Sequence, residues 1–158
     1  MSAIAPGEAG LLQHRASLSG AAAAALAAAA LDAAEKAGLG IAVAVTDAGG
    51  DVLCLRRADG VAAPIAAFAL DKAYTAATMG KTTQAFGARM AAEPALAIAL
   101  SGRQRLITWQ GGVPVVAGGR IVGAIGVSGA TGAEDEALAR AALAALRLET
   151  TEPPAGAP

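Results

Sequence analysis

The amino-acid sequence predicts an α+β domain built on one antiparallel sheet with flanking helices. Its 158 residues suit a single domain of ordinary size. The strand-like segments come in pairs that are joined by short glycine-containing turns, and such hairpins build antiparallel sheets. Alanine-rich segments with helix-capping residues lie before, between and after these pairs. The predicted order of elements is α-β-β-α-α-β-β-β-α, which includes five strands.

The first helix is predicted to run to about Ala37, and either Ser17 or Ser19 can cap its start. Gly38 follows, at the position where a left-handed residue commonly ends a helix. The segment is mostly alanine, which favours helix but buries little area per residue. We therefore expect this helix to pack close to its neighbour.

The first hairpin joins a strand at 41–47 to a partner strand at 51–57. In 41–47 alanine alternates with valine or isoleucine, which indicates a strand whose alanine face lies close against a helix. A helix follows at 64–79, with a proline at its start and a glycine directly after its end. Further helical segments are predicted at 83–90 and, as a short turn, at 93–100.

The C-terminal half is predicted to contain a short strand, a second hairpin and a last helix, at 106–109, 113–116 with 121–128, and 133–148. Thr131 and Glu134 match a capping box at the start of that helix. Residues 1–16 are expected to form an arm, 17–148 the domain, and 149–158 a proline-rich, disordered or extended tail.

Composition excludes several functional classes. Twelve Lys and Arg against thirteen Asp and Glu leave a net charge of -1, so there is no basic field to attract nucleic acid. The chain has one cysteine, Cys54, and one histidine, His14, which argues against a disulfide, a resident metal cluster and Ser-His-Asp catalysis. The longest uncharged run, 16–31, is short for a membrane span and poorly flanked for a signal peptide. We therefore expect a cytoplasmic protein without a membrane partner.

Two segments carry candidate binding residues. In 118–129, Gly126 leaves bare backbone that either a flat ligand or a packed helix can approach. Residues 128–131 precede the last helix, whose free N–H groups can bind a carboxylate, although three acidic residues in its first turn already supply negative charge. Ligand binding and ordinary packing or capping both remain open for these residues.

Lys72 stands among alanines and hydroxyl residues in the segment DKAYTAATMG. On a helix, Lys72, Thr75 and Met79 share one face. Such a lysine suits an anion anchor, or a base if desolvation lowers its pKa, whereas a solvated or ion-paired lysine is the alternative. Asp47 precedes a glycine-containing turn, where an aspartate commonly forms an Asx turn.

Three segments together resemble the GlcG/HbpS-like family, which is related to the C-terminal domain of PduO-type proteins: VAVTDAGGDVLCLRRADG, DKAYTAATMGKTT and QGGVPVVAGGRIVGAIGVSGATGAEDEALARAA. The resemblance covers roughly 18–147. It implies a five-stranded antiparallel sheet, assembly into homo-oligomers and, for some members, haem or another tetrapyrrole as ligand. Other members accompany catabolic or biosynthetic gene clusters.

The first functional hypothesis is a homo-oligomeric module that binds haem or a similar flat anionic molecule. Arg105 and Trp109 stand in a segment that is commonly glycine-rich in the family, and they suit such a ligand by ion pairing and stacking. The expected ligand-binding residues are Lys72, Thr75, Arg105, Trp109, Gly126, Ser128, Gly129 and Thr131. His14 is the preferred axial donor to haem iron, among candidates that include Met79, Met90, Cys54 and Tyr74.

Two alternatives remain open. One is a cofactor-independent enzyme, an isomerase, hydratase or cyclase that acts on an organic acid or a natural-product intermediate. Asp47, Lys72 and Tyr74 are then the acid–base candidates. The other is a structural or regulatory oligomer that has no ligand pocket.

Overall fold

The computed structural model describes residues 15–150. The elements within that range are α1 (Gly20–Lys36), β1 (Ala42–Asp47), β2 (Val52–Arg57), α2 (Ala63–Met79), α3 (Thr83–Ala92), α4 (Pro94–Leu100), β3 (Gly112–Ala117), β4 (Arg120–Ser128) and α5 (Gly132–Ala145). The strands form one antiparallel sheet in the order β2-β1-β4-β3. The predicted α+β class is therefore confirmed. Over the same range, no helix combines the length and the hydropathy that crossing a bilayer requires.

The predicted five-stranded sheet is wrong, because the sheet has four strands in the described part of the chain. The segment 106–109 is a loop that lies against α2. The Thr75 hydroxyl donates to the Arg105 carbonyl and accepts from the Ile107 N–H, both at 3.0 Å. Arg105 also has a φ of 69°, which interrupts an extended chain. The polar backbone groups of this loop are thus bonded to a helix side chain and not to a neighbouring strand.

One face of the sheet packs closely on α2. Ala42 and Ala44 of β1 lie against Ala69 and Ala73 of the helix. A Cβ added to Gly126 of β4 would collide with the backbone of the same two helical residues. Helix packing therefore accounts for the bare backbone at Gly126, and the alternation of alanine with valine in β1 has the expected cause.

The other face carries the main apolar core beneath α1 and α5. The largest buried side chains there come from the strands: Ile41, Val43, Val45, Val113, Val115, Ile125 and Val127. Ser19 caps α1, and Gly38 follows its end with a φ of 70°. The predicted capping box of Thr131 and Glu134 begins α5. The three layers bring the end of β4 next to the start of α5 and to the middle of α2.

Candidate functional site

An open pocket of about 320 Å³ lies where the end of β4, the start of α5 and one face of α2 meet. Its lining residues are Ile65, Phe68, Lys72, Trp109, Ser128, Gly129, Ala130, Gly132 and Asp135. Four of the expected ligand-binding residues, Lys72, Trp109, Ser128 and Gly129, are therefore brought together. The volume lies at the lower end of the range for small-molecule sites in proteins.

A buried ion pair forms the inner wall of this pocket. The Lys72 ammonium donates to Asp135 Oδ2 and to the Val127 carbonyl, each at 2.8 Å. The side chains of Lys72 and Asp135 are each only 3% exposed. Asp135 Oδ1 accepts from the Ala130 N–H at 3.0 Å. The pair therefore ties α2 to the end of β4 and to the loop that begins α5.

Burial shifts both ionisation equilibria of the pair. Desolvation lowers the pKa of Lys72 from its ordinary value of 10.5, and the hydrogen bond and charge of Asp135 partly oppose that change. Desolvation likewise raises the pKa of Asp135 above 3.8, against the stabilising contact with Lys72. As an ammonium, Lys72 is a fixed hydrogen-bond donor with two of its three N–H bonds already used.

Two aromatic side chains form the outer wall. The rings of Phe68 and Trp109 meet edge to face, with their centroids 5.3 Å apart and their planes at 74°. Trp109 remains 58% exposed, an unusual degree of exposure for so large an apolar ring. The pocket therefore combines an accessible aromatic surface with a buried cation.

The other four expected ligand-binding residues do not line the pocket: Thr75, Arg105, Gly126 and Thr131. Thr75 holds the loop after α4, and Gly126 lies under α2, as described above. The Arg105 guanidinium lies 4.0 Å from the centre of the Tyr74 ring and 3.6 Å from Asp71. Thr131 is exposed and is engaged in capping α5.

The structure does not bring the three acid–base candidates together. Asp47 Oδ1 accepts from the N–H groups of Gly49 and Asp51 at 2.8 and 2.9 Å, which is an Asx turn. Tyr74 packs against Gly50 of the same turn, whereas Lys72 lies at the opposite end of β1. His14 lies outside the described residues. Within 15–150, no cluster of three His, Cys, Asp or Glu side chains is placed to hold a metal ion.

Five residues that line the pocket were not among the expected ligand-binding residues: Ile65, Phe68, Ala130, Gly132 and Asp135. Ile65, Phe68 and Lys72 follow one another at spacings of three and four residues, which places them on one face of a helix. The sequence pattern of α2 could therefore have identified Ile65 and Phe68 as neighbours of Lys72. Asp135 was interpreted as one of three acids in the first turn of α5. Its pairing with a lysine 63 residues away has no signal in the local sequence.

Comparisons with known proteins agree with the fold. A family model described as "Haem degrading protein HbpS-like" matches residues 18–144. Protein GlcG of Escherichia coli K12 is 40% identical in an alignment 113 residues long, which covers 67% of this chain and 77% of GlcG.

Two solved structures are also similar. A double mutant of Streptomyces reticuli HbpS is 36% identical with a TM-score of 0.81, over 92% of this chain and 98% of that one. A PduOC:heme complex is 26% identical with a TM-score of 0.78, over 86% of this chain and 99% of that one. Because the family model spans most of the sequence and GlcG matches over two thirds of it, this chain belongs to the GlcG/HbpS-like family.

Proposed function

We propose that this chain is a homo-oligomeric module that binds haem or a similar flat anionic molecule in the pocket beside Lys72. The observation that carries the proposal is the pairing of an exposed aromatic surface, Trp109 against Phe68, with a buried ammonium in one pocket. Similarity to known proteins supports the choice of ligand, since one similar solved structure is a haem complex and the description of the matching family model names haem.

In this proposal each part of the pocket has a separate task. The aromatic pair and Ile65 contact the plane of the ligand, and the third N–H of Lys72 donates to one of its carboxylate oxygens. The loop before α5 contributes less, because the N–H groups of Ala130 and Thr131 already bond to acidic side chains of α5. Lys72 is therefore the main polar contact for the ligand.

The lining residues fit part of a haem group. An aromatic wall and a lysine suit the porphyrin ring and its propionates. Haem iron commonly takes His, Met, Cys or Tyr as its axial ligand, and no such residue is among those that line the pocket. The residues that line the pocket therefore supply no axial ligand to haem iron, and His14 stays the proposed donor.

Trp109 is the only tryptophan of the chain, so its fluorescence reports directly on the pocket. We expect saturable quenching by hemin, and also by iron-free protoporphyrin, because the ring and carboxylates contact the pocket without the iron. Phe68→Ala is expected to weaken both affinities about tenfold. Lys36→Met, which removes an exposed ammonium on α1, should leave both affinities unchanged.

Two outcomes of this titration contradict the proposal. Absence of saturable quenching, together with a hemin absorbance spectrum identical to that of free hemin, would show that the protein does not bind hemin. Binding that needs iron and is unaffected by Phe68→Ala would place the ligand elsewhere. In that second case, a loss of affinity in His14→Ala would identify the axial donor at the other site.

A second candidate is a cofactor-independent isomerase, hydratase or cyclase. One observation favours it: Lys72 is a desolvated amine beside a carboxylate, an arrangement common in catalytic sites. If Lys72 acts as a base, its neutral amine should react with trinitrobenzenesulfonate at neutral pH faster than Lys36 does, as peptide mass spectrometry can measure. Slower modification of Lys72 than of Lys36 would argue against a catalytic base.

A further inference from the structure

We propose that the pocket beside Lys72 binds a planar bicyclic aromatic monocarboxylate, whose carboxylate bridges the Lys72 ammonium and the Ser128 hydroxyl. The inference rests on the proposed function, because it concerns the same pocket. It adds the chemical class of the ligand and a second polar contact.

Ser128 is a buried polar residue whose hydroxyl is available to a ligand. The residue is only 5% exposed and lines the pocket. Its hydroxyl forms no hydrogen bond within residues 15–150, and its oxygen is not one of the fully enclosed oxygens that lack a partner. The oxygen therefore reaches the open space of the pocket. Because most buried hydroxyls have a hydrogen-bond partner in the protein, a free one in a pocket indicates a ligand contact.

The direction of the Ser128 side chain follows from its place in β4. Ser128 lies opposite Ala42 of β1, and residues opposite each other share one face of the sheet. That face is the one packed on α2, which carries Lys72. The carbonyl just before Ser128, that of Val127, accepts from the Lys72 ammonium at 2.8 Å. The hydroxyl and the ammonium are therefore neighbouring donors at the inner end of the pocket.

Two neighbouring donors suit a carboxylate. Lys72 retains one N–H after its hydrogen bonds to Asp135 and to the Val127 carbonyl, and Ser128 retains its O–H. A carboxylate carries two acceptor oxygens on one carbon, so it can accept from both donors at the same time. A neutral amide of the same shape has a single acceptor oxygen and no charge. The site therefore distinguishes an acid from its amide.

The charge of the pocket limits the ligand to one carboxylate. Among the described residues that line it, Lys72 is the only cation and Asp135 the only anion. Both oxygens of Asp135 already accept hydrogen bonds, from Lys72 and from the Ala130 N–H. A second carboxylate would find no cation in the pocket and would have to remain in water. By the same reasoning, only one of the two carboxylates of a porphyrin binds here.

The size and the wall of the pocket suit a bicyclic ring. The pocket has a volume of about 320 Å³, whereas an apolar cavity of about 150 Å³ accommodates benzene. Two fused rings with a carboxylate therefore fill the pocket, and a porphyrin extends beyond it. The exposed ring of Trp109, with the Phe68 ring beside it, provides an aromatic surface for one face of the ligand.

Calorimetric titration of the wild-type protein tests the class of ligand. We expect saturable binding of 2-naphthoate. Benzoate, which lacks the second ring, should bind about tenfold more weakly because less apolar area is buried. 2-Naphthamide should also bind about tenfold more weakly, because the charged hydrogen bonds are lost. 2,6-Naphthalenedicarboxylate should bind no more tightly than 2-naphthoate, since its second carboxylate meets no cation.

Ser128→Ala tests the second contact. The variant should lose about tenfold in affinity for 2-naphthoate. Its urea unfolding midpoint should match that of wild type, because the hydroxyl has no partner within the described part of the chain. Ser17→Ala removes an exposed hydroxyl before α1 and should leave the affinity unchanged. Lys72 is kept in this test, because its replacement would also leave Asp135 unpaired.

The outcomes separate this inference from the proposed function. If hemin and protoporphyrin quench Trp109 but 2-naphthoate does not bind, the inference is wrong and the proposed function stands. Equal affinities for 2-naphthoate and 2-naphthamide, or an unchanged affinity in Ser128→Ala, would contradict the carboxylate contact. Binding of 2-naphthoate without binding of hemin would support the inference and remove haem from the proposed function. If none of these compounds binds, both are wrong.

Discussion

Replacing Lys72 by methionine perturbs the centre of the proposed pocket at a defined energetic cost. Methionine preserves much of the apolar stem and removes the ammonium. Asp135 is then left 3% exposed, with the Ala130 N–H as its remaining hydrogen-bond donor. Removing one partner of a buried ion pair costs about 3–5 kcal/mol, compared with a total stability of about 5–15 kcal/mol for a domain.

Urea unfolding followed by circular dichroism measures this loss. With a slope of about 1.5–2 kcal/mol per molar urea, the midpoint of Lys72→Met should fall by about 2 M. Lys36→Met removes an exposed ammonium and should change the free energy of unfolding by less than about 0.5 kcal/mol. The difference between these two variants isolates the effect of burial.

The double variant Lys72→Met/Asp135→Leu distinguishes an unpaired charge from a general packing defect. With both charges removed, stability should return to within about 1–2 kcal/mol of wild type, and the remaining loss reflects the hydrogen bond to Ala130. A double variant as unstable as Lys72→Met would refute this reasoning, because no unpaired charge would remain to explain the instability.

Three further predictions concern the elements that support the site. Gly126→Ala places a methyl group against the backbone of α2 and should lower the free energy of unfolding by about 1–3 kcal/mol, as thermal unfolding can measure. Gly102→Ala is the control, because a methyl group at Gly102 would meet no other atom within 4 Å. Equal effects of the two substitutions would contradict the close packing of β4 on α2. Thr75→Val removes two hydrogen bonds to the loop after α4, so amide hydrogen exchange in that loop should accelerate, whereas Thr78→Val, which loses a bond within its own helix, should not change it. Hydrogen bonds from the capping threonine hold the pKa of Glu134 below 4.5, so its contribution to stability is present above that pH and disappears as the pH falls through the lowered pKa. The pH profile of Glu134→Gln should lack this loss, and a profile parallel to that of wild type would assign no role to the carboxylate.

Features that depend on local chemistry were predictable from the sequence. The cap at Ser19, the left-handed Gly38 and the capping box at Thr131 each involve residues within four positions of one another, so a short window contains all the participants. Alternation of alanine and valine likewise depends on the two-residue period of a strand. Two of the expected ligand-binding residues that lie on such elements, Lys72 and Ser128, line the pocket.

Features that depend on distant contacts were decided by the tertiary structure. The segment 106–109 has the residue types of a strand, and only the Thr75 hydroxyl, about 30 positions earlier in the chain, shows that its backbone is bonded elsewhere. Lys72 and Asp135 are 63 positions apart, and Lys72 and Val127 are 55 apart. The sequence alone determined the fold class, the helix ends and a cationic candidate. The packing of α2, β4 and α5 decided which groups share a pocket, because desolvation and ion pairing depend on neighbours that local sequence does not identify.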